Sequence, residues 1–381
     1  MIDPHGRVVI VGGSIAGLTA AEELRSRGFE GELVLVEAET ETPYARPPLS
    51  KAVLSGKEEP DDARLPSFDH LELEFWSGVE VTGLDTERKR LRVEGDDIRF
   101  DGLVITTGAR AATLRDHGAN EGDAPEVVLR TMNDAIALRN RLREGDDIVI
   151  VGGGILGMEI ASTASALGLA VTVVDRIPAM LGAVGSHLSD LVMRCASQAG
   201  VTYTIAPDGA RLQNAGDRVL VHTATGTLEA GIVVSSVGCR PNVEWLMSSG
   251  LAVTPGLVVD ERCRVTPDIV AAGDVVSVAG GRRQPHWSNA LDQARTAASA
   301  LLQGDGATPY DHRPYFWTEQ FGLSLKIAGN GPPTGEPTML DGSADDLAAI
   351  LQWVEDGRPV AAAALNRRIP ISRLHNLAGH H

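Results

Sequence analysis

Residues 8–37 read VVIVGGSIAGLTAAEELRSRGFEGELVLVE, and this stretch decides the fold. The four apolar residues at 8–11 are typical of a buried parallel strand. Apolar residues at helical spacing predict a helix over residues 15–27, which Gly28 ends, and residues 32–37 form the next predicted strand. The stretch therefore predicts a strand–helix–strand unit of a doubly wound nucleotide-binding domain.

The same pattern recurs 140 residues further along the chain. Residues 148–151 predict a strand, Gly152-Gly153-Gly154 a turn, residues 155–167 a helix and residues 171–175 a second strand. Apolar runs at 103–106 and 232–235 are candidates to close the two sheets. After residue 314, short strands at 348–353 and 360–365 flank a turn at Asp356-Gly357 and indicate a smaller module.

The predicted fold class is α/β: two doubly wound Rossmann-like domains followed by a small α+β C-terminal domain. We expect a discontinuous first domain (1–112 and 238–313), a second domain (113–237) and the C-terminal domain (314–381). Five of the 15 aromatic residues fall within twelve positions near the last boundary: Tyr310, Tyr315, Phe316, Trp317 and Phe321.

Composition narrows the class of protein. The chain has 381 residues, of which 34 are basic and 51 acidic, giving a net charge of −17. This charge argues against a nucleic-acid partner, and no apolar run reaches the length of a membrane span. The first six residues lack the layout of a signal peptide. Three widely spaced cysteines, an odd number, favour a reducing cytoplasm.

The first glycine motif, defined as residues 12–17, approximates the dinucleotide-binding pattern G-x-G-x-x-G. Gly12 permits the tight turn, Gly17 lets helix and strand pack closely, and the helix start faces a pyrophosphate. Ser14 replaces the usual middle glycine and is small enough to keep most of that approach. Glu37 lies at the end of the next strand, where an acid accepts hydrogen bonds from an adenosine ribose.

The second glycine motif, residues 152–157, is a complete G-x-G-x-x-G in the same context. Asp175, eighteen residues after Gly157, is placed to bind the 2′-hydroxyl of NAD and to repel the 2′-phosphate of NADP. Because the neighbouring Arg176 could accept such a phosphate, NADH is favoured and NADPH stays open. Two such motifs in one chain suggest that one site holds a flavin and the other delivers hydride to it.

Further motifs occur in order along nearly the whole chain, from about residue 8 to residue 366. They are PYARPPLSK (43–51), TTGAR (106–110), LRTMNDA (129–135), GGGILGME (152–159), VGCRPN (237–242), AAGD (271–274) and PYFWTEQ (314–320). With them the chain resembles the FAD-dependent, pyridine-nucleotide-linked ferredoxin and rubredoxin reductases of bacterial oxygenase systems. The resemblance to apoptosis-inducing factor is more distant. The family resemblance implies that the discontinuous first domain is an FAD-binding domain (1–112 and 238–313) and the second an NAD(P)H-binding domain (113–237).

The resemblance implies roles for individual residues. Arg46, Pro47 and Lys51 would lie along the isoalloxazine, with the charge of Lys51 near the reactive nitrogen. Glu159 would face the nicotinamide carboxamide and could pair with Lys51. Trp317 would cover the flavin edge. The other implied cofactor contacts, beyond the two glycine motifs with their neighbours Ile15, Ala16, Ile155 and Leu156, are Thr107, Gly108, Arg130, Gly238, Gly273, Asp274 and Trp287. Asn289 is expected near the start of the helix that follows Trp287.

Cysteine is absent from residues 46–51, where related disulfide reductases and thiol peroxidases carry a reactive thiol. Cys195, Cys239 and Cys263 are therefore interpreted as packing residues, and thiol redox catalysis is not expected. No histidine, cysteine or carboxylate spacing matches a metal site.

The predicted function is hydride transfer from NADH to FAD, followed by release of single electrons to a [2Fe–2S] ferredoxin-type protein by a cytoplasmic monomer or homodimer. One alternative is a flavoenzyme on the same scaffold that acts directly on a small organic molecule or oxygen; Ser14, Asp175 and Ala111-Ala112 depart from the family pattern. A second is a redox-responsive binding protein similar to apoptosis-inducing factor.

The acidic charge is unevenly distributed. Residues 1–237 hold 22 basic and 36 acidic groups, whereas residues 238–381 hold 12 and 15. We expect an acidic ferredoxin to dock on the less acidic part, near Trp317. The candidate arginines are Arg282, Arg283, Arg367, Arg368 and Arg373.

Overall fold

A computed structural model describes residues 2–121, 123–145, 147–251, 253, 256–278, 281, 283–311, 313–343 and 345–380. These residues form two compact units. The first comprises residues 1–45, 64–110 and 240–312, and the second comprises residues 46–63, 111–239 and 313–381.

The first unit is built on a six-stranded sheet. Its strands, in spatial order, are Arg264–Thr266, Ile269–Ala271, Gly102–Ile105, Arg7–Val11, Glu32–Glu37 and Glu74–Ser77. All neighbouring pairs are parallel except the first, which is antiparallel. Helices Ile15–Ser26 and Trp287–Gln303 pack against each other on this sheet. The parallel strands therefore end at one edge, where doubly wound sheets bind ligands.

Smaller elements complete the first unit. An antiparallel sheet contains Val81–Asp85, Arg90–Val93 and Asp96–Arg99, and a parallel pair contains Leu257–Val259 and Val276–Val278. Short 3-10 helices occupy Asp69–Leu71, Glu244–Leu246 and Gly304–Gly306. Strands Ala109–Ala111 and Cys239–Pro241 occur where the chain passes from one unit to the other.

The second unit contains a second parallel sheet. Its strands, in spatial order, are Thr202–Ile205, Ala170–Asp175, Asp147–Val151 and Ile232–Ser235. The helices of this part are Ala52–Ser55, Met132–Glu144, Ile155–Ala166 and Leu181–Gln198, with 3-10 turns at Pro47–Ser50, Pro60–Ala63 and Arg115–His117. A further sheet orders Gly226–Ala230, Arg218–Thr223, Arg211–Ala215 and Asn120–Glu121. Thr131 and Asp134 form a reciprocal capping box that begins the helix Met132–Glu144.

The C-terminal part of the second unit is an antiparallel five-stranded sheet with one helix, Ile371–Leu377. The strands, in spatial order, are Tyr315–Gln320, Leu323–Gly329, Arg358–Leu365, Ala348–Glu355 and Thr338–Ser343. Alternation along the first strand places Tyr315 and Trp317 on one face and Thr318 and Gln320 nearer the other. Trp317 packs on the core beside the C-terminal helix and stacks on Tyr315, with ring centroids 6.0 Å apart.

The predicted α/β class is confirmed, and both strand–helix–strand units occur within two residues of their predicted bounds. The division into three domains stays a prediction. One expectation is corrected: Trp287 begins a helix instead of preceding one. The five clustered aromatics do not all pack on one core. Tyr310 packs on the core of the first unit, where its hydroxyl donates to Asn289, whereas Tyr315 and Trp317 belong to a core of the second unit.

In the described ranges, no helix is both long and apolar enough to cross a membrane.

Candidate functional site

The first glycine motif lies at the carboxyl edge of the six-stranded sheet. Gly12 has φ +105°, and a Cβ there would collide with the Thr106 carbonyl. A Cβ at Gly17 would collide with the Gly12 carbonyl, so helix and strand approach each other as closely as glycine allows. Thr106 supports the turn from the neighbouring strand, since its hydroxyl donates to the carbonyl of Gly12 at 2.8 Å. The sequence-predicted roles of both glycines thus have a steric cause.

The second glycine motif repeats this construction in the second unit. Gly152 has φ +111°, and a Cβ there would collide with the Ser236 carbonyl. A Cβ at Gly157 would collide with the Gly152 carbonyl. At Gly153 a Cβ would meet the ring of Tyr203, which lies over the loop and donates from its hydroxyl to the Ile177 carbonyl at 2.9 Å. Burial, followed by the charge of Asp175, raises the pKa of Tyr203, so the hydroxyl stays protonated.

Ser14 and Gly154 occupy the same position in the two motifs. Ser14 has φ −82° and ψ −165°, and Gly154 has φ −72° and ψ −174°. This is extended backbone that any residue adopts, so serine introduces no strain. A Cβ at Gly154 would meet nothing within 4 Å. Ser14 makes no side-chain cap to its own helix, which leaves its hydroxyl for a ligand.

Both helix starts fit an anionic group. Neither Ile15–Ser26 nor Ile155–Ala166 carries an acidic residue in its first turn. The first amide groups of each helix lack intrahelical acceptors, and the helix dipole favours negative charge there. Ile15, Ala16, Ile155 and Leu156 belong to these first turns. The open space at Gly154 and the free helix starts fit the pyrophosphates of two dinucleotides.

The two acids that end the second strands are held against the glycine loops. Glu37 accepts from the Gly13 amide at 2.5 Å and from the Glu39 amide at 3.0 Å. Asp175 accepts from the Gly153 amide and from its neighbour Arg176, each at 2.6 Å. Since a carboxylate offers about four acceptor positions, each acid retains capacity for ribose hydroxyls.

Other predicted cofactor residues lie at loops of the first unit. Asn242 fixes the position of Thr107 and Gly108. The Thr107 hydroxyl donates to the backbone carbonyl of Asn242 at 2.9 Å, and the backbone amide of Asn242 donates to the Gly108 carbonyl at 3.0 Å. Gly273 has φ +82°, and its Cβ would lie 3.3 Å from Ala16 of the first helix start. The Gly273–Asp274 turn therefore lies beside the first glycine motif.

The helix that begins at Trp287 also belongs to the first unit. Asn289 lies in its first turn and is buried. The Asn289 amide donates to the Gln284 carbonyl at 3.0 Å. The side chain is thereby fixed, as expected for a residue at the start of this helix.

Residues 46–51 belong to the second unit. Pro47–Ser50 forms a 3-10 helix, and Lys51 follows it with φ −121° and ψ −100°. The Arg46 guanidinium donates to the Arg130 carbonyl at 2.6 Å, which joins two predicted site residues. Gly238 also falls in the second unit, where its carbonyl accepts from the Ala112 amide.

Lys51 and Glu159 form a largely buried ion pair. Lys51 Nζ lies 2.7 Å from Glu159 Oε2, and the side chains are 18% and 6% exposed. Lys51 also donates to the Pro47 carbonyl at 3.1 Å. Glu159 lies one turn into the helix that follows the second glycine motif, so that motif and the ion pair share one rigid element.

Two further residues contact Glu159 that sequence reasoning did not select. The Ser50 hydroxyl donates to Oε2 at 2.5 Å, and the Thr318 hydroxyl donates to Oε1 at 2.7 Å. Both residues lie in motifs that the sequence analysis singled out: Ser50 precedes Lys51 in residues 43–51, and Thr318 follows Trp317 in residues 314–320. Their roles depend on side-chain direction, which the motifs do not encode.

Cys195 and Cys263 form no disulfide in the part of the chain that the structure describes. Burial raises the pKa of Cys263 to about 12 and also raises the pKa of Cys195. These two thiols stay protonated at neutral pH and lack the thiolate that nucleophilic chemistry needs.

The fold and these features define a two-dinucleotide oxidoreductase of the flavin- and nicotinamide-dependent class. The family model described as pyridine nucleotide-disulphide oxidoreductase matches residues 6–294, and a model described as reductase C-terminal matches residues 315–379. The chain belongs to the pyridine nucleotide-disulphide oxidoreductase family.

Named relatives are similar over most of their length. The ferredoxin–NAD(+) reductase component of the 3-phenylpropionate/cinnamic acid dioxygenase of Photorhabdus laumondii is 32% identical, over 97% of this chain and 95% of that protein. Rhodocoxin reductase of Rhodococcus erythropolis is 36% identical, over 84% and 78%. The structure of the covalent putidaredoxin reductase–putidaredoxin complex matches with a TM-score of 0.85 at 29% identity, covering 98% of this chain and 93% of that chain.

Proposed function

We propose that this protein is an NADH-dependent flavoprotein reductase that passes electrons to a ferredoxin-type [2Fe–2S] protein, as part of an oxygenase system. FAD is assigned to the first glycine motif and NADH to the second. The observation that carries the proposal is the buried Lys51–Glu159 pair, on the helix that begins at the second glycine motif. Such a pair is costly to bury, so its retention points to a function.

Bound FAD would supply the conversion between a two-electron hydride and single electrons. The chain's own residues supply position and charge. Lys51 holds a positive charge where the resemblance places the reactive flavin nitrogen, and such a charge stabilises a developing anion. Glu159 balances Lys51 and offers an acceptor for the nicotinamide carboxamide. Neither of these roles requires a thiol, in agreement with the absence of cysteine from residues 46–51.

Asp175 supports the choice of NADH. Its carboxylate is fixed by the Gly153 and Arg176 amides, so its charge stays beside the adenosine position. A 2′-phosphate there would meet a like charge.

A ferredoxin is proposed to dock on the C-terminal part of the second unit, near Trp317. Arg367, Arg368 and Arg373 are exposed there. Arg283 belongs to the first unit and donates to the Asp274 carbonyl at 2.9 Å, while Arg282 lies outside the described residues. The first three arginines are therefore the better candidates.

The test is an anaerobic titration followed by an acceptor assay. The purified protein should be yellow, bleach with NADH, and reduce cytochrome c rapidly only when a [2Fe–2S] ferredoxin is added. A protein that neither retains nor takes up FAD refutes the proposal. Bleaching that leaves ferredoxin without effect, together with NADH consumption that depends on a small molecule, would instead support a flavoenzyme acting on that molecule.

A cytoplasmic location is proposed with this function. The free thiols of Cys195 and Cys263 support it, because disulfides are rare in that compartment.

A further inference from the structure

The carboxylate of Glu159 is held by more than its lysine. The residue is buried, and three side chains donate to its carboxylate: Ser50 and Lys51 to Oε2, and Thr318 to Oε1. These donors come from two separate segments of the second unit, the adjacent residues Ser50 and Lys51 and the strand that carries Thr318. The carboxylate cannot rotate about its last bond without breaking at least one of these hydrogen bonds.

The hydroxyl of Thr318 is itself oriented. Gln320, two residues along the same strand, donates from Nε2 to Thr318 Oγ1 at 3.3 Å and to Met180 Sδ at 2.9 Å. Since the Thr318 oxygen accepts from Gln320, its single hydrogen is directed to Glu159. Thr318 and Gln320 are both buried, so water does not compete for these bonds.

Ser50 is oriented in a similar way from the other side. The Thr163 hydroxyl, one helical turn after Glu159, donates to the Ser50 carbonyl at 2.8 Å. The backbone of Ser50 is thereby fixed to the helix that carries Glu159. The Ser50 hydroxyl reaches the carboxylate from this fixed backbone.

An ionised carboxylate has about four acceptor positions, of which Oε2 uses two and Oε1 uses one here. We propose that Thr318 and Ser50 are positioning residues that leave one acceptor position of Glu159 Oε1, with a fixed direction, for the carboxamide N–H of reduced nicotinamide. This inference rests on the proposed function. It makes the C-terminal sheet a contributor to nicotinamide selection, through a residue that itself touches no substrate.

Loss of either hydroxyl should affect the binding of nucleotides that carry an amide donor and leave the binding of nucleotides without one unchanged. Reduced 3-acetylpyridine adenine dinucleotide has a methyl ketone in place of the carboxamide and donates no hydrogen bond at that position. Loss of Thr318 should therefore weaken the binding of NADH and leave the binding of this analogue unchanged. A general loss of structure would weaken both.

The experiment uses the FAD-loaded protein and anaerobic stopped-flow bleaching with each nucleotide. For Thr318→Val we expect the apparent Kd for NADH to rise about tenfold, the value of one hydrogen bond to a charged group, with no change for the analogue. Ser50→Ala should show the same pattern, and Thr318→Ser should restore the wild-type ratio.

Matched controls are available in the same unit. The Thr334 hydroxyl donates to Glu355 at 2.8 Å on the exposed surface, and the Ser55 hydroxyl donates to the Ala52 carbonyl at 3.1 Å. Thr334→Val and Ser55→Ala should leave both apparent Kd values unchanged.

Equal changes for NADH and the analogue in Thr318→Val, or no change in either, would overturn the inference while the proposed function stands. A wild-type protein that does not bleach with NADH would refute the proposed function itself. If valine prevents folding, Thr318→Ala removes the same hydroxyl without adding a methyl group in its place, and the same comparison of nucleotides decides.

Discussion

Lys51 Nζ lies 2.7 Å from Glu159 Oε2, although the two residues are 108 positions apart in the chain. Burial removes both charges from water, and their mutual attraction with the added hydroxyl donors offsets only part of this cost. The pair therefore couples the proline-rich segment to the helix of the second glycine motif.

Replacing Lys51 with methionine should destabilise the protein by about 3 kcal/mol, because Glu159 would keep a buried charge without its cation. Urea unfolding of the flavin-free protein measures this. Flavin reduction by NADH should also slow by an order of magnitude or more. Arg88→Met is the control, since the Arg88–Asp85 pair is 3.6 Å apart and its side chains are 79% and 42% exposed. Equal stability losses in the two variants would contradict the prediction.

Replacing Ser14 with alanine should weaken FAD binding about tenfold. The Ser14 hydroxyl makes no capping hydrogen bond to its helix and is therefore available to donate to the pyrophosphate. Titration of flavin-free protein, followed by flavin fluorescence, gives the Kd. Ser14→Gly removes both the hydroxyl and the Cβ. A comparison of the glycine and alanine variants therefore separates the effects of these two groups on the Kd. Tighter binding by the alanine variant would show that the hydroxyl hinders the ligand.

Replacing Asp175 with asparagine should raise the ratio of kcat/KM for NADPH to that for NADH about tenfold. Asparagine keeps an oxygen for the Gly153 amide but removes the charge that repels a 2′-phosphate, and Arg176 stays in place. Steady-state assays with both nucleotides measure the ratio. The exposed Asp208→Asn serves as the control, and an unchanged ratio in Asp175→Asn would refute the assigned role.

Ionisation of Glu126 should contribute to the way in which the free energy of unfolding depends on pH under acidic conditions. Burial by itself would raise its pKa, but hydrogen bonds from Ser235, Asn120 and the amides of Leu114 and Arg115 lower the pKa below the ordinary 4.5. The folded state thus favours the charged form, so its stabilising effect is present above pH 4.5 and disappears as the pH falls through the lowered value.

In Glu126→Gln, the unfolding free energy should fall less steeply below pH 4.5 than in the wild type. The difference between the two proteins should be largest near neutral pH. Urea titrations across this pH range measure it, with the exposed Glu144→Gln as control. Parallel curves for wild type and Glu126→Gln would contradict the assignment.

Charge reversal of Arg367 and Arg368 should slow ferredoxin-dependent cytochrome c reduction about tenfold at low salt and flatten its salt dependence. The rate at which the protein reduces ferricyanide with NADH should be unchanged, because this small acceptor needs no docking surface. The control is the double variant Arg88→Glu and Arg90→Glu, which makes the same change of charge on the first unit. If both double variants respond alike, the proposed docking surface is wrong.

The local order of residues determined much of this protein by itself. Two glycine motifs between a buried strand and an amphipathic helix, each followed by an acid, encode two dinucleotide folds because the signals are short-range. The bounds of these strands and helices follow from hydrophobic spacing and from the glycines that permit tight turns.

Only the tertiary structure decided how Glu159 is held. Ser50, Lys51 and Thr318 come from segments more than 100 residues away in sequence from Glu159, and whether a hydroxyl points at a carboxylate depends on strand register and helix rotation. The same holds for the separation of Tyr310 from Tyr315 and Trp317. Five positions apart along the chain, Tyr310 and Tyr315 pack on different cores, because the chain passes from one compact unit to the other between them.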